Sequence, residues 1–165
     1  MGDCFIFSGQ GSHRPGMGLK LYQHSTLATN KIDLSNQVLG YNISDIMFDD
    51  NETVLRQTNH AQVAIYIYSC IIFDIIKDNN HIPAVVAGHS LGEFSALYAN
   101  STYTFETGLQ IVDIRAKAMH KCEKNTEGKM SAVIGMSKEK ISDICKGTDT
   151  QVANINSDQQ IVISG

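Results

Sequence analysis

Gly88-His89-Ser90-Leu91-Gly92 sets a serine hydroxyl between two glycines in the pattern G-x-S-x-G. The pattern suits a serine raised on a sharp bend between a strand and a helix. Glycines two residues to either side let the backbone pack closely, and the hydroxyl stands clear near the positive end of the helix. A serine so placed is a nucleophile for acyl transfer, and the N–H of the next residue, Leu91, points at the acyl oxygen as an oxyanion donor. The flanking residues are of the kind this bend needs. Residues 83–87 are a short apolar run suited to a buried parallel strand, and Leu91, Phe94, Leu97 and Tyr98 then take up helical spacing. His89 is a poor choice of base, because neighbouring side chains diverge at so tight a bend; it is expected to pack or hydrogen-bond against an adjacent loop.

The elements around the bend follow from periodicity and breakers. Residues 4–8 read as a short buried strand and residues 8–12 as a flexible loop. Residues 32–39 and 53–56 read as short helices, 60–77 as a long buried helix, and 105–122 as another with Leu109, Val112, Ala116 and Met119 on one face. After Gly128 the order becomes strand 130–134, helix 138–146, then strands 151–155 and 160–164. That is β-α-β-β, the first four elements of a ferredoxin-like unit. The expected fold class is therefore α/β: a hydrolase-like parallel sheet carrying the nucleophile bend over residues 1–126, and an incomplete ferredoxin-like subdomain over 127–165.

Composition narrows the function classes. Of 165 residues, 42% are apolar and 18% charged, enough for a core, and the formal net charge of -4 comes without a basic cluster, which argues against nucleic acid. No stretch reads as about 18 uninterrupted apolar residues, so no membrane segment is expected. No basic region followed by a long apolar run marks a secretory signal. Cys4, Cys70, Cys122 and Cys145 lack metal-ligand spacing and read as reduced thiols of a cytoplasmic protein.

Several segments, in order, resemble one family. Residues 87–97, Ala-Gly-His-Ser-Leu-Gly-Glu-Phe-Ser-Ala-Leu, resemble the nucleophile region of malonyl-CoA:acyl carrier protein transacylases and of polyketide synthase acyltransferase domains. Residues 5–12 resemble their N-terminal F-x-F-P-G-Q-G-S segment, and residues 112–119 their arginine-bearing helix. Residues 128–135, and then 154–165, are similar to the strands of their small subdomain. The resemblance implies transfer of malonyl from coenzyme A to the phosphopantetheine thiol of acyl carrier protein, through a Ser90 acyl-enzyme, in fatty acid biosynthesis. It implies no cofactor, coenzyme A thioester being the substrate. It assigns Gln10 the second backbone oxyanion donor and Arg115 the grip on the malonyl carboxylate, a task for which the planar guanidinium fork suits better than lysine. It sets Gln62 in the pocket.

The departures from the pattern are specific. Ser8 and Val63 stand where the family has proline. Family members are considerably longer, and their catalytic histidine, in an S-x-x-H-like loop, lies in the half that is absent here. None of His13, His24, His60, His81, His89 and His120 occupies that place. The chain is accordingly expected to be a fragment, a split-gene half or a decayed copy, with the strand at 130–134 left as an open sheet edge and a separate C-terminal half among its expected partners. Two other readings stay open: a serine esterase, which leaves the Gly9-Gln10-Gly11 loop and Arg115 without a purpose, and a non-catalytic relic, which the missing base favours.

Overall fold

Strand β1, Cys4–Phe7, turns Phe5 and Phe7 toward the interior and leaves Ile6 78% exposed, the alternation that a strand with one covered face requires. It pairs in parallel with β2, Val85–Gly88, in the register Cys4 opposite Val85 through Phe7 opposite Gly88. These assignments come from a computed structural model that describes residues 2–125 and 127–165. Between the strands run α1 (Leu19–His24), α2 (Thr26–Leu39), α3 (Ile43–Phe48), α4 (Glu52–Leu55) and α5 (Thr58–Asp78). After β2 come α6 (Gly92–Ala99) and α7 (Phe105–Asn125). The chain is α/β, and it divides into two compact units, residues 1–121 and 122–165.

The core of the first unit is built around α5. Residues 61–67, with Cys70, Ile71 and Phe73, are buried, and the ring of Phe73 meets Phe5 and Phe7 edge-on with centroids 6.4 and 6.3 Å apart. By length and composition this helix could cross a membrane, with a mean hydropathy of 1.3, which corrects the expectation that no segment is apolar enough. Gln62, Ser69 and Asp74 do not bring the average down far enough, and the apolar surface goes instead into the core, more than half of that stretch being buried. Lys31 of α2 lies between the Tyr98 and Phe105 rings, pairs with Asp74 of α5 and donates to the Tyr98 hydroxyl at 2.8 Å, tying four helices together.

Several boundaries differ from those the periodicity suggests. α2 begins at Thr26 rather than near 32, because the Ser25 hydroxyl accepts the Ala28 N–H and caps its first turn. α1 and α3 are six residues each, too short to show a period, and were not expected. β2 starts two residues later than the apolar run, since the Ala84 N–H and the Val85 N–H both reach back to the Asp3 carbonyl.

The turn from β2 into α6 is tightly packed. Ser90 has φ +53°, in the left-handed region, where a residue with a Cβ costs about 1–2 kcal/mol. A Cβ on Gly92 would lie 2.1 Å from the Phe7 carbonyl oxygen, and one on Gly88 would lie 2.0 Å from the Gly92 carbonyl carbon. β1, the turn and the start of α6 therefore touch backbone to backbone. Gly92→Ala is expected to destabilise the fold by about 3 kcal/mol, since the clash falls on main-chain atoms with no rotamer to yield. Denaturant unfolding checks this, and a loss under about 1 kcal/mol would contradict the contact.

His60, in the first turn of α5, packs edge-on against Tyr41 with centroids 5.8 Å apart. Burial lowers its imidazole below the ordinary value; His120 and Lys117 add to this and Asp113 opposes it. The unfolded chain keeps the higher, ordinary value. As pH falls through about 6.5 the unfolded state takes the proton first, and stability is lost. Unfolding free energy should fall more steeply between about pH 7.5 and about pH 5.5 in the native sequence than in His60→Asn. Parallel curves would contradict this.

The second unit consists of β3 (Met130–Ile134), α8 (Lys138–Cys145), β4 (Gln151–Ser157) and β5 (Gln160–Ser164), in an antiparallel sheet of order β3-β5-β4. Ile141 and Cys145 of α8 cover one face with Ile161, Val133, Val152 and Ile163. Ser137 caps α8 by accepting the Lys140 N–H. Two irregularities in register carry β4 on to Ser157, two residues past the expected end. β3 is an outer strand whose Met130 and Ile134 are exposed.

Candidate active site

The backbone that strains Ser90 also exposes it. With the turn packed between the end of β1 and the start of α6, its side chain is directed outward and the residue is solvent-accessible, while Leu91 beside it is fully buried. The N–H groups of Gly92, Glu93 and Phe94 are spent on the carbonyls of His89, Ser90 and Leu91. The Leu91 N–H stands ahead of these, at the head of α6, where the helix dipole is positive.

The Gly9-Gln10-Gly11 loop is held against this turn. A Cβ on Gly9 would lie 2.6 Å from the His89 carbonyl oxygen and 3.1 Å from His89 Nδ1, so the loop passes with no room for a side chain. His89 therefore lies against the loop, with its own N–H given to the Phe7 carbonyl at 3.1 Å. Ser12 Oγ donates to the Gly9 carbonyl at 3.0 Å and receives the Ser8 hydroxyl at 2.9 Å, which closes the loop on itself.

Arg115 reaches the site from the middle of α7. Val112 and Ala116 bury the same helix in the core, so the arginine between them emerges at its margin, half-buried. One guanidinium nitrogen, Nη2, donates to Ser90 Oγ at 3.1 Å, and Nη1 donates to Gln62 Oε1. The guanidinium carbon lies 5.6 Å from the Phe94 ring centroid. Burial lowers the Arg115 pKa and the Glu93 carboxylate works against it. A guanidinium keeps its charge at any ordinary pH, so a cation stands within hydrogen-bond distance of the exposed hydroxyl.

Gln62 is buried on α5 and belongs to a short polar chain. Its Nε2 donates to Met119 Sδ at 3.3 Å and, over a longer 3.5 Å, to Gln10 Oε1. Gln10 Nε2 in turn donates to Thr58 Oγ at 3.1 Å. Ser90, Arg115, Gln62 and Gln10, far apart in sequence, thus form one connected set beside the Leu91 N–H. Thr58, Phe94 and Met119 also touch it. Sequence reasoning passed over these three, because a threonine in a first helical turn and apolar residues on amphipathic faces carry no separate signal. The histidines of the chain give Ser90 Oγ no hydrogen bond among the described residues.

The arrangement suits attack by a serine hydroxyl on an acyl carbon whose substituent carries an anion. The hydroxyl is exposed, the positive head of α6 lies beside it, and a cationic fork lies to one side.

Comparison with known proteins points the same way. A family model described as an acyl transferase domain matches residues 4–165. The polyketide biosynthesis malonyl CoA-acyl carrier protein transacylase of Bacillus velezensis is 38% identical over 98% of this chain and 55% of its own length. The crystal structure of an acyl-carrier-protein-S-malonyltransferase from Bartonella henselae is 35% identical and superposes with a TM-score of 0.92 over 100% of this chain and 55% of that one. A malonyl-transacylase solved in complex with its type II polyketide acyl-carrier protein is 31% identical, with a TM-score of 0.88 over 100% of this chain and 55% of that one. The chain spans about half the length of the transacylases it matches.

Proposed function

The chain belongs to the acyl transferase domain family, and from that premise we propose that it carries the nucleophile half of a malonyl-CoA:acyl carrier protein transacylase, with Ser90 as the residue that bears the acyl group. The observation that supports this most is the 3.1 Å contact between Arg115 Nη2 and the exposed Ser90 Oγ. A hydrolase needs no cation there, whereas an enzyme choosing a malonyl group over an acetyl group does.

In this reading the β2–α6 turn is a nucleophile elbow. Ser90 Oγ attacks the thioester carbonyl of malonyl-CoA and its proton leaves. The carbonyl oxygen gathers negative charge against the Leu91 N–H and the backbone N–H of Gln10. The carbon–sulfur bond then breaks, coenzyme A departs as the thiol, and a serine ester remains. In the second half the phosphopantetheine thiol of acyl carrier protein attacks that ester, the carbon–oxygen bond breaks and Ser90 regains its proton. Throughout, Arg115 holds the free malonyl carboxylate, which takes over Nη2 from the resting Ser90 contact.

Arginine has only donors to offer, so it cannot take the serine proton. The reading therefore draws the base from a histidine outside these 165 residues, as the resemblance implies, on a continuing or separate C-terminal half. The second unit reads as the opening of a ferredoxin-like subdomain, its order β3-β5-β4 leaving a place beside β3 for one more strand. Fatty acid synthesis is one destination for the malonyl group; the polyketide relatives make chain elongation in that class an equal one.

Discharge of the acyl-enzyme tests the assignment. Protein loaded from malonyl-CoA and mixed with holo acyl carrier protein should pass its malonyl group to the pantetheine thiol faster than to water. Release to water alone would instead make it an esterase, and failure to load at all would make it a relic.

A further inference from the structure

The hydrogen bonds beside Ser90 have a fixed direction. Arg115 presents only N–H groups, so the atom of Gln62 facing it must be the carbonyl oxygen Oε1. That turns Gln62 Nε2 away from Arg115, toward Met119 Sδ at 3.3 Å and Gln10 Oε1 at 3.5 Å. Gln10 is exposed, and of its amide only the Nε2 end is anchored, on Thr58 Oγ at 3.1 Å. Thr58 is 4% exposed in the first turn of α5, so its hydroxyl is an acceptor held by a buried helical residue. Without that anchor the exposed Gln10 carboxamide would be free to turn to water and release Gln62 Nε2.

We infer that Thr58 is a positioning residue: its buried hydroxyl anchors a relay, Arg115 to Gln62 to Gln10 to Thr58, that fixes at once the guanidinium fork and the loop bearing the Gln10 backbone N–H. The inference rests on the proposed malonyl transfer for its consequence but not for its geometry. The relay spans three segments, α7, the first turns of α5 and the loop after β1, with no backbone hydrogen bond between them among the described residues. It gives carboxylate recognition and oxyanion stabilisation a common support, so that neither can drift without the other.

Thr58→Val keeps the shape and removes the acceptor, and Thr58→Ser keeps the acceptor and removes a methyl group. In the full-length protein, free of acyl group, the 15N–1H resonance of Arg115 Nε should shift in Thr58→Val and stay near its native position in Thr58→Ser. Arg115 lies on another helix, and a change confined to the packing around residue 58 would leave that resonance unmoved. Malonyl loading should fall about tenfold in Thr58→Val, since misplacement of a positioning group carries penalties of that order and more. Thr58→Ser should restore it, and acetyl loading, which does not use the fork, should fall less. An unmoved Arg115 resonance in Thr58→Val, or a Thr58→Ser as impaired as the valine variant, would overturn the relay. Native protein that takes no malonyl group would sink the transfer reading while the resonance still decided the relay.

Discussion

Replacing Ser90 by alanine is expected to abolish loading from malonyl-CoA, a loss of at least about 10⁴-fold, because the attacking oxygen itself is gone and no other hydroxyl lies on the same turn. The fold should survive. The side chain is exposed, and the φ of +53° is imposed by the surrounding close contacts rather than by the serine. Ser90→Gly separates the two properties further. Glycine adopts a positive φ without the Cβ penalty, so this variant should be as inactive as alanine yet more stable than the native protein by about 1 kcal/mol. Loading comparable to native in either variant would remove Ser90 from the chemistry. A Ser90→Gly no more stable than Ser90→Ala would mean that the turn carries no strain.

Replacing Arg115 by alanine carries the second largest expectation: a fall in malonyl loading of about 10²- to 10³-fold with a much smaller change in acetyl loading. The fork is held on both sides, by the Gln62 carbonyl oxygen at Nη1 and by the Phe94 ring beneath it. At rest it spends Nη2 on Ser90 Oγ. Under the proposed malonyl transfer, a malonyl carboxylate would claim that nitrogen and leave the hydroxyl free to attack, whereas an acetyl group would bring nothing to displace it. Arg115→Lys should recover little, since one ammonium cannot meet Gln62 and a carboxylate in the same plane. Equal losses for malonyl and acetyl groups would take Arg115 out of carboxylate recognition and leave it a merely structural contact.

The bend that carries Ser90 was legible because every constraint on it is local. Two glycines, a strand-forming run and a helical repeat lie within about one turn of each other, and local rules of this kind are the ones sequence reading uses best. Gln10, Gln62 and Arg115 were legible only through a resemblance. Nothing in a single glutamine or arginine announces its partner tens of residues away. Thr58 shows the limit most clearly: a threonine in a first turn reads as an ordinary helix start until the Gln10 amide is found on its hydroxyl. Lys31 was likewise silent, its role set by Asp74 and Tyr98 on two other helices. The short helices α1 and α3 fall below the length at which a repeat shows, and the true start of α2 lay in a cap rather than in its apolar pattern.

The central claim is that the exposed hydroxyl at the β2–α6 turn accepts the acyl group. Full-length protein incubated briefly with malonyl-CoA, quenched and digested, should show the mass of one malonyl group on the peptide that contains Ser90 and on no other. A malonyl adduct on a different residue, or an unmodified Ser90 in protein that still transfers malonyl to acyl carrier protein, would contradict the account.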